Sequence, residues 1–189
     1  MGIREEMIVL LRTPLVASIN FSFPSLNRQI GEVRVNQSSF ERVARALETN
    51  RLNVTTNSNN LVAGASAQYT SENALKIGNT FIIPRLTTVL ERGGVVHESI
   101  HASFDMTRSV LPQVDNEAAA YIGGCFYYAS GNYRSFSDPI HHAAIQIVNE
   151  FGQTNSINPA RLEELRNAIN NNPTYSHLVG RTYSGDGTK

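Results

Sequence analysis

Residues 93–106 read GGVVHESIHASFDM, and His97 and His101 stand four residues apart in that stretch, with Glu98 beside the first. On a helix this spacing puts both imidazoles on one face, one turn apart, close enough to hold a single metal ion. Glu98 falls about 100° round the same helix, within reach of a water in an open metal position rather than of the metal itself. The flanking residues Val95, Val96, Ile100, Ala102 and Phe104 are apolar. Two histidines and a glutamate buried among them would be costly without a partner such as a metal.

The rest of the chain must supply a fold around that helix. Its 189 residues, 41% hydrophobic and 17% charged, suit one globular domain, 1–189, with a packed core. Sixteen basic and sixteen acidic residues cancel, which argues against nucleic-acid or membrane binding by bulk electrostatics. Cys125 is the lone cysteine, in the apolar setting YIGGCFYY, and reads as a buried, inert thiol. The N-terminus carries Glu5 and Glu6 where a secretory signal would be positive, and no apolar run is long enough to span a bilayer. The expectation is a soluble protein, cytoplasmic or exported without a cleavable signal peptide.

Residues 5–19 suit either a short helix or a buried strand, interrupted by Pro14. Ser38 followed by Glu41 forms a capping-box pattern ahead of Phe40, Val43, Ala44 and Leu47, which predicts a helix near 39–49. Alternation in ALKIGNTFIIP, with Gly78-Asn79 as a tight turn and Pro84 as a stop, predicts a hairpin or edge strand over 74–83. Helices are expected over Leu86–Phe104, from an Asp115 N-cap to about Ser130, from Ser137 or Asp138 before Pro139, and from Asn158 before Pro159. The tail 184–189 reads as frayed. The class is α+β, a small antiparallel sheet with an edge strand packed on a mainly helical C-terminal half.

Glu117 follows His101 by sixteen residues at the start of the next expected helix, after a turn containing Pro112, far enough for the chain to reverse. Here VVHESIHASFD followed by DNEAAAYIGG resembles the gluzincin branch of zincin metallopeptidases, over about Ala74 to Ala129. The resemblance implies a zincin-like fold, a Zn2+ ion held by His97, His101 and Glu117, and Glu98 as the general base. It implies hydrolysis of a peptide or other amide bond, with the substrate lying along the 74–83 edge strand. The metzincin pattern fits less well, since Phe104 and Thr107 stand where it needs a glycine and a third ligand.

Asp105 suits either a hydrogen bond to a ligand imidazole or a solvated place at a helix end. Tyr121, Tyr175, His177 and Tyr183 are candidates for the donor that steadies an oxyanion. The pairs Gly93-Gly94 and Gly123-Gly124 fit close packing of the two helices, or for the first pair a break before the helix begins. His141 and His142, being adjacent, point in different directions and read as surface or boundary residues. Two other roles stand beside the peptidase: a non-catalytic zincin-like binding or regulatory domain, and a secreted bacterial effector or toxin using the same chemistry.

Overall fold

Pro14 starts a helix rather than only interrupting one. The structure, a computed structural model that describes residues 2–62, 64–71 and 78–187, opens with α1 (Ile3–Leu11) and a short α2 (Pro14–Ala17). Proline lacks an N–H that the first turn would leave unpaired in any case, and the Thr13 hydroxyl accepts from the Val16 amide. Strands β1 (Phe21–Pro24) and β2 (Glu32–Val35) then pair antiparallel, with Phe21 opposite Val35. α3 (Gln37–Glu48) lies within two residues of the helix expected at 39–49, but its capping box is made by Asn36 and Ser39 instead of Ser38 and Glu41. Glu41 pairs instead with Arg12 at the α1–α2 junction.

β3 (Asn53–Thr55), β4 (Gln68–Thr70) and β5 (Thr80–Ile82) form a sheet in the order β3–β5–β4. β3 runs parallel to β5 and β4 antiparallel to it, so this sheet is mixed rather than antiparallel. Thr80–Ile82 is its central strand, hydrogen-bonded on both sides, and cannot take on a further strand. The edge expected at 74–83 is thus not an edge where it is described, and 74–77 lie outside the described residues. Thr80, Phe81 and Ile82 are all buried, as befits a strand covered on both faces. Among the described residues, the edge strand next to the HESIH helix is β4.

The HESIH segment lies in α4 (Val89–Met106), which begins three residues later than expected. Its start is fixed by a reciprocal box: the Glu91 amide donates to the Thr88 hydroxyl, and the Glu91 carboxylate accepts from the Thr88 amide. Burial alone would raise the Glu91 pKa, but the Thr88 and Thr87 amides, the Thr87 hydroxyl and Arg85 outweigh it and hold it at about 2, against an ordinary 4.5. The stabilisation this provides is complete above pH 4.5, declines as pH falls and is gone near pH 2. Urea unfolding of Glu91→Gln should show a deficit of about 1 kcal/mol at pH 7 that closes as the pH approaches 2. A deficit that stayed constant with pH would contradict the assignment.

β6 (Val110–Pro112) runs directly into α5 (Gln113–Ser130). Pro112 therefore occupies the N-cap, and Asp115 lies inside the first turn rather than capping it. α6 (Pro139–Thr154) and α7 (Pro159–Asn170) are capped by Asp138 and Asn158, each ahead of a proline, as expected. The chain then returns as β7 (Thr182–Ser184), antiparallel to β6. The expectation of a frayed tail from 184 is corrected: the Gly185 amide donates to the Ser109 carbonyl and the Asp186 amide to Asp105, so the segment is docked as far as Gly187. Residues 188–189 lie outside the described residues.

α4 and α5 pack antiparallel at unusually short range, and glycine makes this possible. A Cβ on Gly93 would stand 2.0 Å from the Tyr128 ring, and one on Gly124 would stand 3.2 Å from the Gly93 carbonyl and 3.4 Å from His97 Cβ. Gly93 lies in the second turn of α4, so the glycines mark a close helix crossing and not a break before the helix. One cluster of buried side chains extends from Met7 in α1 to Ile169 in α7. The architecture is α+β, and no helix among the described residues is long and apolar enough to cross a membrane.

Candidate metal centre

His97 and His101 project from α4 toward α5, which presents Glu117. The two Nε2 atoms are 3.1 Å apart, and His101 Nε2 is 3.6 Å from Glu117 Oε2. One ligand atom from each of the three residues falls within 4.8 Å of the others. Tetrahedral zinc with bonds near 2.0–2.2 Å needs its ligand atoms about 3.3 Å apart, so this donor set fits zinc with little movement. Asp105 does not orient His101. Asn116 does, its Oδ1 lying 3.0 Å from His101 Nδ1. The amide oxygen can only accept, so Nδ1 carries the proton and the Nε2 lone pair faces His97 and Glu117. Sequence reasoning missed Asn116; its position directly before Glu117, in the first turn of α5, was the available signal.

The two ligand histidines are shifted in opposite directions. Burial lowers the His97 pKa well below the usual value, and His101 and His141 lower it further. For His101 burial acts in the same direction, but Glu117, Glu98 and Asn116 outweigh it and raise its pKa. A metal held by the triad therefore competes with a proton for His101 Nε2.

Glu98 is held from the side of β4. The Tyr69 amide, on the strand's free side, donates to Glu98 Oε2 at 2.8 Å. Oε1 lies 3.9 Å from His97 Nε2, near the triad without being part of it. Burial pushes the Glu98 carboxyl up to about 7, against the lowering pull of His101 and the Tyr69 amide.

Two cavities meet at His97 and Glu98. One, of about 400 Å³, runs beside β4 past Gln113, His177 and Tyr183; the other, of about 300 Å³, runs past Tyr121, Tyr128 and His141. His97, Glu98 and Tyr175 line both, so the two are arms of one cleft. A larger cavity of about 460 Å³ lies between α3 and the end of α4, beside Arg42 and Ser103, and contains none of the triad.

The four candidate donors separate clearly. The Tyr175 and Tyr121 hydroxyls are hydrogen-bonded at 2.8 Å, and Tyr121 stands edge-on to His97. Tyr183 donates to the His101 carbonyl at 3.4 Å, and His177 is exposed in the β4 arm of the cleft. His141 is a half-buried boundary residue, as expected: the Asp138 carboxylate accepts from its amide at 2.8 Å and from Nδ1 at 2.7 Å, and its ring lines the second arm edge-on to Tyr121. His142 is exposed, and Cys125 is buried, with its thiol pKa raised by that burial. No family model matches the chain, and no curated protein or solved structure matches it.

Proposed function

We propose that this chain is a one-zinc hydrolase of the gluzincin type that cleaves a peptide or other amide bond. The observation that carries this reading is the convergence of His97, His101 and Glu117 with a fourth group, Glu98, that is close to the triad yet bonded away from it. A structural site needs ligands but no base, so the placement of Glu98 favours catalysis over a binding domain. Zinc held by the three ligands would lower the pKa of a water toward about 7 and polarise the scissile carbonyl. With zinc bound, Glu98 would be placed to take the water's proton and pass it to the leaving nitrogen. Tyr69 N–H fixes Oε2, which leaves Oε1 as the oxygen nearer the triad. Tyr175, standing where the arms of the cleft meet and backed by the Tyr121 hydroxyl, is the donor for the developing oxyanion. An extended substrate would lie in the arm of the cleft lined by Gln68–Ser71, without the Tyr69 amide, which Glu98 already holds.

Metal analysis of the purified chain tests this reading. About one zinc per chain is expected, lost in His101→Ala and Glu117→Ala. Zinc affinity should fall as the solution is acidified, by about tenfold per pH unit once His101 is charged, because Glu117 and Glu98 favour the protonated imidazole and that proton competes with zinc. A chain that takes up no zinc at neutral pH would refute the proposal.

A further inference from the structure

Asp105 is a buried carboxylate that the proposed chemistry does not use. It ends the HESIH helix with no exposed surface, and neither oxygen reaches a ligand imidazole. Burying a carboxylate is costly unless both its oxygens are engaged. Here each oxygen is engaged by a different part of the chain. Tyr69 Oη donates to Oδ2 at 2.6 Å, from β4, and the Asp186 amide donates to Oδ1 at 2.9 Å, from the segment after β7. Asn79 Oδ1, 3.1 Å from Tyr69 Oη, is an alternative acceptor for the same hydroxyl proton, and Asn79 Nδ2 donates to the Gly187 carbonyl at 3.3 Å. Burial and the Asp105 carboxylate raise the Tyr69 phenol pKa, so the hydroxyl remains a donor. The segment approaches closely because it carries glycine at 185, where a Cβ would stand 2.7 Å from Asp105 Cα and 2.8 Å from the Phe104 carbonyl.

Tyr69 therefore bonds at both ends. Its hydroxyl reaches Asp105, and its amide holds Glu98 at 2.8 Å. Asp105 and Glu98 are two turns apart on one helix, and Tyr69 bridges them from the edge strand. We infer that Asp105 is a positioning residue that joins the docked segment 182–187 to β4, so that docking of this segment sets the hydrogen bond on the base Glu98. The catalytic part of this inference rests on the reading of Glu98 as a general base; the structural part does not. The chain of bonds predicts that displacing the segment, whose bond to a ligand residue is that of Tyr183 to the His101 carbonyl on the backbone, loosens β4 and slows turnover.

The test compares Tyr69→Phe, which keeps the amide and ring but removes the hydroxyl, with Gly185→Val, which pushes the segment off α4. Asp105→Asn, with one acceptor oxygen in place of two, is the milder third variant. Amide hydrogen exchange is followed at Gln68–Thr70 in the zinc-loaded chain, together with zinc stoichiometry and kcat against KM on a peptide that the wild type cleaves. Tyr69→Phe and Gly185→Val should each keep one zinc, exchange the Tyr69 amide about tenfold faster and lose about tenfold in kcat with little change in KM. Because both break the same link, the double variant should be no worse than either single one. Unchanged exchange at Tyr69 in both variants, or losses that multiply in the double variant, would overturn the inference. A wild type that binds zinc and cleaves nothing would defeat the catalytic reading, while the exchange result would still decide the coupling.

Discussion

Glu98→Gln should abolish turnover by about 10²- to 10⁴-fold while the chain keeps its zinc and its fold. Gln is isosteric, and its side-chain oxygen can still accept from the Tyr69 amide, so the change removes the proton acceptor without emptying its place. KM should barely move, since the residue contributes to proton transfer rather than to ground-state binding. In the zinc-free chain burial holds the Glu98 carboxyl at about 7, and a dication beside it acts in the opposite direction. The base must be ionised to work. Activity is therefore lost as pH falls through the Glu98 pKa, and in the zinc-loaded protein this acid limb should lie below 7. Assay of wild type and variant on one peptide, with metal content measured alongside, separates the alternatives. Full activity in Glu98→Gln would remove it from the mechanism; lost zinc would make it a ligand.

The second large effect is on stability. Asp115, with no exposed surface, lies in the first turn of α5, two residues before Glu117. Its Oδ1 accepts from Arg166 Nη2 at 2.7 Å and Nε at 2.9 Å, and its Oδ2 from the Ser25 hydroxyl and the Leu26 amide, both at 2.9 Å. Arg166 Nη2 also donates to the Pro24 carbonyl at 2.7 Å. This pair ties α7 and the end of β1 to the start of the ligand helix. Arg166→Met leaves the Asp115 carboxylate buried and unpaired and should cost about 3–5 kcal/mol in urea unfolding. Adding Asp115→Asn should restore much of the loss, because a neutral side chain does not need the cation. A loss below about 1 kcal/mol for Arg166→Met would show the pair to be dispensable.

What could be read in the sequence follows from distance along the chain. HESIH and Glu117 were legible because helical spacing and one chain reversal determine their approach, and that approach is what the structure shows. Proline after Asp138 and Asn158 marked two helix starts for equally local reasons. Other features depend on partners far away in sequence. Tyr69 reaches Glu98 across 29 residues, Asp105 meets Asp186 across 81, and Asp115 meets Arg166 across 51. Nothing near Asp115 shows that it will be occupied by an arginine instead of by its own helix end. Strand order was hidden for another reason, since strands of three residues are too short to show a clear alternation. The run FII did carry a signal that β5 is covered on both faces, and its continuous burial agrees with that.

The brevity of those strands bears on how the chain behaves when crowded with copies of itself. Strands that present long rows of free amides invite neighbouring molecules to zip on, the route to aggregates. No described strand here exceeds four residues, and Pro24 and Pro112, each at a strand's end, have no amide to offer. On β4 the outward Tyr69 amide is already taken by Glu98. The bond that steadies the proposed base thus also withdraws a donor through which one molecule could template the next.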